Sequence, residues 1–170
     1  MKITIMKGQG ELIVFVLLFI VGIFLFTAAT IWSRSIFQQN LDVTKLETVE
    51  KFVKDLDENI LKVIKFGGSK EIEYNLDGTI NVSSNLIEVR TPISLPLQEN
   101  WINISSDTSY IQERKEGNDL VLQLIYPQGD YEVEFFTDGP ELAQPIYVRI
   151  EENSTVLNSI TLIKIKITFI

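Results

Sequence analysis

An uncharged apolar run from Leu12 to Trp32 constrains this chain more than any other feature. At 1.5 Å per residue, its roughly 21 positions form a helix about 31 Å long, matching a bilayer's hydrocarbon core of about 30 Å. About fifteen of these residues are Leu, Ile, Val or Phe. Each favours insertion by roughly 0.3 to 0.6 kcal/mol, so together they favour lipid over water by several kcal/mol. Two competing readings share the pattern: the buried core helix of a soluble domain, and a cleaved secretory signal with Thr27-Ala28-Ala29 as its small-residue site. A secretory signal's apolar core is usually shorter, about 7–15 residues. A single membrane span fits the full run best.

Charge orients the span. Lys2 and Lys7 precede it, whereas about 22 acidic and 13 basic residues follow, Arg34 among them close to the span. Basic flanks stay in the cytoplasm, so the expectation is a cytoplasmic N-terminus, with the chain from Ser33 onward outside the cell. The net charge of −8 and the absence of any Lys/Arg block exclude a phosphate-tracking surface, so no nucleic acid is expected as a partner. The chain has neither Cys nor His. That removes thiolate and imidazole chemistry, most zinc sites and any disulfide, and leaves stability to packing alone.

Beyond the span, Leu46, Val49, Val53, Leu56, Ile60 and Val63 recur at alternating steps of three and four. They form one apolar stripe on an amphipathic helix, whose wet faces are read as Lys51, Lys54, Asp55, Asp57, Glu58 and Lys62. Thr44 and Glu47 have capping-box spacing, which allows a restart near Asn40 to Asp42. No Pro or Gly forces such a break, so continuity is expected up to Gly67-Gly68, where the helix ends.

From Lys70 the hydrophobic period switches to two. Ile72 and Tyr74 alternate with Glu71 and Glu73, and Asp77-Gly78 followed by Ile80 and Val82 predicts a hairpin. Further strands are predicted at Leu86–Thr91, Trp101–Ile104, Tyr110–Arg114, Leu120–Tyr126, Tyr131–Thr137 and Tyr147–Glu151. Turn signals at Glu116–Asp119, Pro127–Asp130 and Asp138–Pro140 separate some of them. The last strand, Thr161–Ile170, turns Ile163, Ile165, Ile167 and Phe169 one way and Lys164, Lys166 and Thr168 the other. An apolar strand of this kind is expected to be central or well covered. The fold class is therefore α+β: a long N-terminal helix, transmembrane and then amphipathic, packed on an antiparallel β-sandwich or curved sheet.

Immediately before the apolar run stands Lys7-Gly8-Gln9-Gly10-Glu11. With this order of residues, the N-terminal region resembles archaeal type IV pilin-like proteins carrying a class III signal peptide. The resemblance implies cleavage by a prepilin peptidase between Gly8 and Gln9, with Lys7 as the basic residue at the cut. It also implies that the apolar helix is retained for assembly with identical or other pilin-like subunits. Glu11 would then be the third mature residue, whereas the family's assembly glutamate is usually the fifth. Met6 is an alternative start that would shorten the leader to three residues. The implied organisation is leader 1–8, membrane and assembly helix 9–32, stalk helix 33–66 and extracellular β-domain 67–170. The implied location is a single-pass cell membrane or a surface filament. The competing expectation is a permanently anchored β-domain that binds a surface partner, as a filament stator or an adhesin does.

Other candidate sites are sparse. Asp55, Asp57 and Glu58, and likewise Glu132 and Glu134, are read as solvated carboxylates rather than acid/base pairs. No calcium loop, phosphate-binding glycine loop or nucleophile elbow occurs, so no enzyme activity, metal or cofactor is expected. Trp101 and the tyrosines fit either a sugar-binding surface or the core, and strand aromatics favour the core. Asn81, Asn103 and Asn153 match the N-glycosylation sequon.

Overall fold

A computed structural model describes residues 5–105, 109–126, 131–137, 147–152, 155–157 and 160–170. Asn153 and the turns at Pro127–Asp130 and Asp138–Pro140 lie outside the described residues. Among the described residues, one helix, α1 (Ile5–Phe66), precedes ten strands. The chain divides into two compact units, residues 1–41 and 42–170, and each is described by itself.

The helix runs through Asn40–Thr44 without a break, as the lack of Pro and Gly predicts. It stops at Gly67 and Gly68, whose φ values of 70° and 89° are open to glycine at little cost. The Gly67 N–H donates to the Val63 carbonyl at 2.8 Å and satisfies one of the last helical acceptors.

In the second unit the strands form two sheets. The first contains β1 (Ser69–Glu73), β8 (Tyr147–Glu152), β10 (Ile160–Phe169) and β7 (Tyr131–Thr137) in that order, with β9 (Thr155–Leu157) also paired to β10. The second runs β2 (Thr79–Ser83), β3 (Leu86–Pro92), β6 (Asp119–Ile125), β5 (Tyr110–Glu116), β4 (Ile102–Ser105). Among the described residues every pairing is antiparallel except that of β10 with β7, which is parallel. The α+β class is as expected, with the last strand lying inside its sheet between β8 and β7.

The predicted hairpin across Asp77-Gly78 does not form. β1 pairs with β8 in one sheet and β2 with β3 in the other, so residues 74–78 carry the chain between sheets. Tertiary contacts override the turn signal here. Tyr74 is buried edge-on against Phe52, with ring centroids 5.6 Å apart, and its hydroxyl donates to the Gly78 carbonyl at 2.8 Å. The Thr91 hydroxyl donates to the Asp77 carbonyl at 2.7 Å, which ties the crossover to β3. A Cβ on Gly78 would lie 2.1 Å from the Arg90 carbonyl oxygen, so no other residue fits there without displacing backbone.

One core joins the helix and both sheets. Val49, Phe52, Val53, Leu56, Ile60 and Val63 meet inward residues that include Ile87 and Val89 of β3, Leu120, Leu122 and Leu124 of β6, and Ile163, Ile165 and Ile167 of β10. The stripe predicted from the steps of three and four is therefore the buried face, and Phe52 widens it.

Candidate functional site

In the first unit, side chains from Leu12 to Phe26 are between 46% and 76% exposed, with no face of the helix covered. Ile31 and Trp32 are exposed as well. Each large apolar side chain stabilises by roughly 1.5–3 kcal/mol when buried, so about fifteen of them represent tens of kcal/mol. That exceeds the whole net stability of an ordinary domain, about 5–15 kcal/mol. Such a surface demands lipid or protein around it, and α1 is long and apolar enough to cross a membrane.

Polar groups within the run are satisfied locally. The Thr27 hydroxyl donates to the Ile23 carbonyl at 2.9 Å, and Thr30 donates to Phe26 at 2.8 Å. Neither hydroxyl therefore brings an unpaired donor into an apolar medium. The segment Lys7-Gly8-Gln9 lies on the first turns of α1, and Glu11 is exposed just before the run. Among the described residues, no group of three or more His, Cys, Asp or Glu converges in a way that would hold a metal ion.

In the second unit the wet-face reading fails for Asp57, which is only 6% exposed. Its Oδ2 accepts from the Ser109 hydroxyl at 2.8 Å, and its Oδ1 accepts a short hydrogen bond from the Tyr126 hydroxyl. Periodicity missed this residue because an acid was assigned to solvent by type. Its position, four after Val53 and three before Ile60, puts it on the flank of the buried stripe. The only available signal was that placement, and its partners come from distant strands and loops. Asp42, where the capping-box spacing allows a restart that the helix does not take, is also buried and accepts from the Ser94 N–H at 3.2 Å.

The remaining carboxylates divide by environment. Glu132 is exposed and Glu134 pairs with Lys164 at 3.2 Å, as a solvated face implies. Glu113 instead faces the helix: burial, then the Glu50 charge, push its carboxyl up, Lys54 opposes them, and its Oε2 has no hydrogen-bond partner among the described residues. Burial also pushes Glu88 up, but hydrogen bonds from Gln123 and Arg90, with the charges of Arg90 and Arg114, outweigh it and hold Glu88 below the ordinary range.

The outer face of the second sheet is organised in rows. Cross-strand register places Asn81, Glu88, Gln123, Gln112 and Asn103 side by side across all five strands. Both described sequon asparagines thus stand on edge strands at opposite ends of one row, and both are exposed. The next row contains Arg90, Val121 and Arg114. Arg90 bonds Glu88 at 2.6 Å, Glu116 bridges Arg90 and Arg114 at 3.3 Å each, and the Arg114 guanidinium lies 4.4 Å from the Trp101 ring centroid.

The expectation that strand aromatics are core holds for Tyr74 and Tyr126 and fails for three others. Trp101 is 37%, Tyr110 45% and Tyr147 44% exposed. Trp101 just precedes β4, Tyr147 opens β8, and Tyr110 stands on the outward side of β5, since Ile111 takes the inward position. The chain matches no protein-family model, no curated protein and no solved structure.

Proposed function

We propose that this chain is a pilin-like structural subunit of a cell-surface filament, cut after Gly8 and assembled through its apolar helix with copies of itself or related subunits. The observation that carries the reading is the apolar surface of Leu12–Trp32, uncovered on every side and placed directly after Lys7-Gly8-Gln9. A helix of this kind serves equally in lipid before assembly and in a bundle of identical helices afterwards. The acidic β-domain then stands outside the cell, where its net negative charge keeps a crowded surface soluble.

The residues before the run distinguish this function from a permanent anchor, which has no use for a cleavable basic leader. In the native host, Gly8→Leu is expected to leave an uncut precursor in the membrane and to remove the protein from sheared surface material. N-terminal sequencing of native protein should begin at Gln9. An intact Met1 or Met6 on assembled protein would end the processing claim and favour the anchored β-domain.

A further inference from the structure

We propose that the outer face of the second sheet is a binding surface for an uncharged oligosaccharide, with Tyr110 and Trp101 as its stacking platforms and Gln112, Asn103 and Gln123 as its hydrogen-bonding floor. This goes beyond assembly and does not depend on it.

The outward positions of β5 run Tyr110, Gln112, Arg114, and Arg114 carries Trp101 against its guanidinium. At about 3.4 Å per residue, the Tyr110 position and the Arg114 row lie roughly 14 Å apart, a span of two or three pyranose rings. Between them, Gln112 pairs in register with Asn103 on one side and Gln123 on the other. A pyranose ring has an apolar C–H face that settles on an aromatic ring. Its rim of adjacent hydroxyls suits planar amides, which offer a donor and an acceptor side by side. Exposed aromatics on either side of the amide row, separated along β5, supply both halves of that recognition.

Charge selects the ligand. Glu88, Arg90, Glu116 and Arg114 bond one another and cancel, which leaves Asp119, at the end of β6 beside Glu116, as the one unbalanced charge on the described outward strand positions. A face this close to neutral complements an uncharged ligand and gives little long-range attraction to an anionic or cationic one. The network is also preorganised: Gln123 Nε2 donates to Glu88 at 2.8 Å, so its amide is already oriented when a ligand arrives. Gln112 and Asn103 have no such internal bond among the described residues, which leaves both amides available.

The contrast with the first sheet sharpens the case. Its outer face pairs Arg149 with Glu71, Lys164 with Glu134 and Lys166 with Glu151, an ordinary charge ladder with no amide row among the described residues.

The test uses the full chain, produced without glycosylation and held in phospholipid nanodiscs, titrated with neutral gluco-, manno- and N-acetylglucosamine oligosaccharides of two to six units. Saturable binding of at least one series is expected. Gln112→Ala and Trp101→Ala should each weaken it at least tenfold, and Lys164→Ala on the other sheet should leave it unchanged. Circular dichroism identical to the parent's would certify each variant's fold, and Gln112→Ala alone decides if the tryptophan variant misfolds. The proposal is overturned if no series binds, if binding ignores Gln112, if only charged sugars bind in a salt-sensitive manner, or if the same variants instead break self-association.

Discussion

Asp57 ties the amphipathic part of α1 to Ser109, just before β5, and to Tyr126, just after β6, by hydrogen bonds. A buried carboxylate needs hydrogen-bond donors, and Ser109 and Tyr126 supply them. Tyr126→Phe removes one donor from a charged acceptor and should cost roughly 1.5–3 kcal/mol in chemical denaturation. Ser109→Ala should cost a similar amount. If the two variants together lose no more than either alone, Asp57 is reached by water and the carboxylate is not truly enclosed. Glu113 behaves in the opposite sense. Its folded value is raised, chiefly by burial and then by Glu50, so the folded state binds the proton more tightly than the unfolded chain does. Stability therefore falls as pH rises from the ordinary glutamate range through the folded value. Glu113→Gln should raise the thermal midpoint at neutral pH, and its advantage should vanish at pH values below that range. Glu88, held low, contributes stability that is present above its unfolded value and is lost as pH falls through the folded one. Denaturation of the Glu88→Gln variant across acid pH would show that loss missing.

At the scale of elements, β10 is the piece on which the first sheet depends. It pairs with β7, β8 and β9, and it buries Ile163, Ile165 and Ile167. Deleting Thr161–Ile170 should abolish cooperative unfolding, and a truncated protein that still melted in one sharp transition would contradict this. The apolar segment of α1 makes a different prediction. On the insertion scale its side chains sum to several kcal/mol, while an Arg at the centre of a span costs about 3 kcal/mol. Ile20→Arg combined with Ile23→Arg, both close to the middle of the run, should therefore nearly cancel the preference for lipid. The doubly substituted protein should come off membranes in alkaline carbonate, where the parent stays. The crossover at Gly78 tolerates no Cβ, since the Arg90 carbonyl occupies that space. Elsewhere a hairpin turn behaves as its sequence predicts: Gly117, at φ 64°, links β5 to β6, and the Asn118 carbonyl accepts from Ile93 at 2.8 Å.

For the whole molecule, two surfaces of opposite character belong to one chain. One is an apolar helix that water cannot host, and the other is an acidic two-sheet unit with a polar exterior. On the proposed function, the first carries assembly and the second meets the environment, including any sugar chain that the amide row accepts. This division makes the two activities separable. Variants of the amide row should leave processing and filament yield untouched, and Gly8 variants should leave the β-domain's fold and ligand binding intact.

The amino-acid order by itself determined what depends on neighbours along the chain. The length of the apolar run, the amphipathic stripe, the helix stop at Gly67-Gly68 and most strands follow from periods of 3.6 and 2 and from glycine's backbone freedom. Only the tertiary structure decided which strands pair, because register is fixed by packing between segments far apart in sequence. That is why Asp77-Gly78 became a crossover, β10 entered the sheet between β8 and β7, and two acids, Asp42 and Asp57, went inside. The amide row shows the same limit: its four amides and Glu88 come from five strands, and no local pattern sets them side by side.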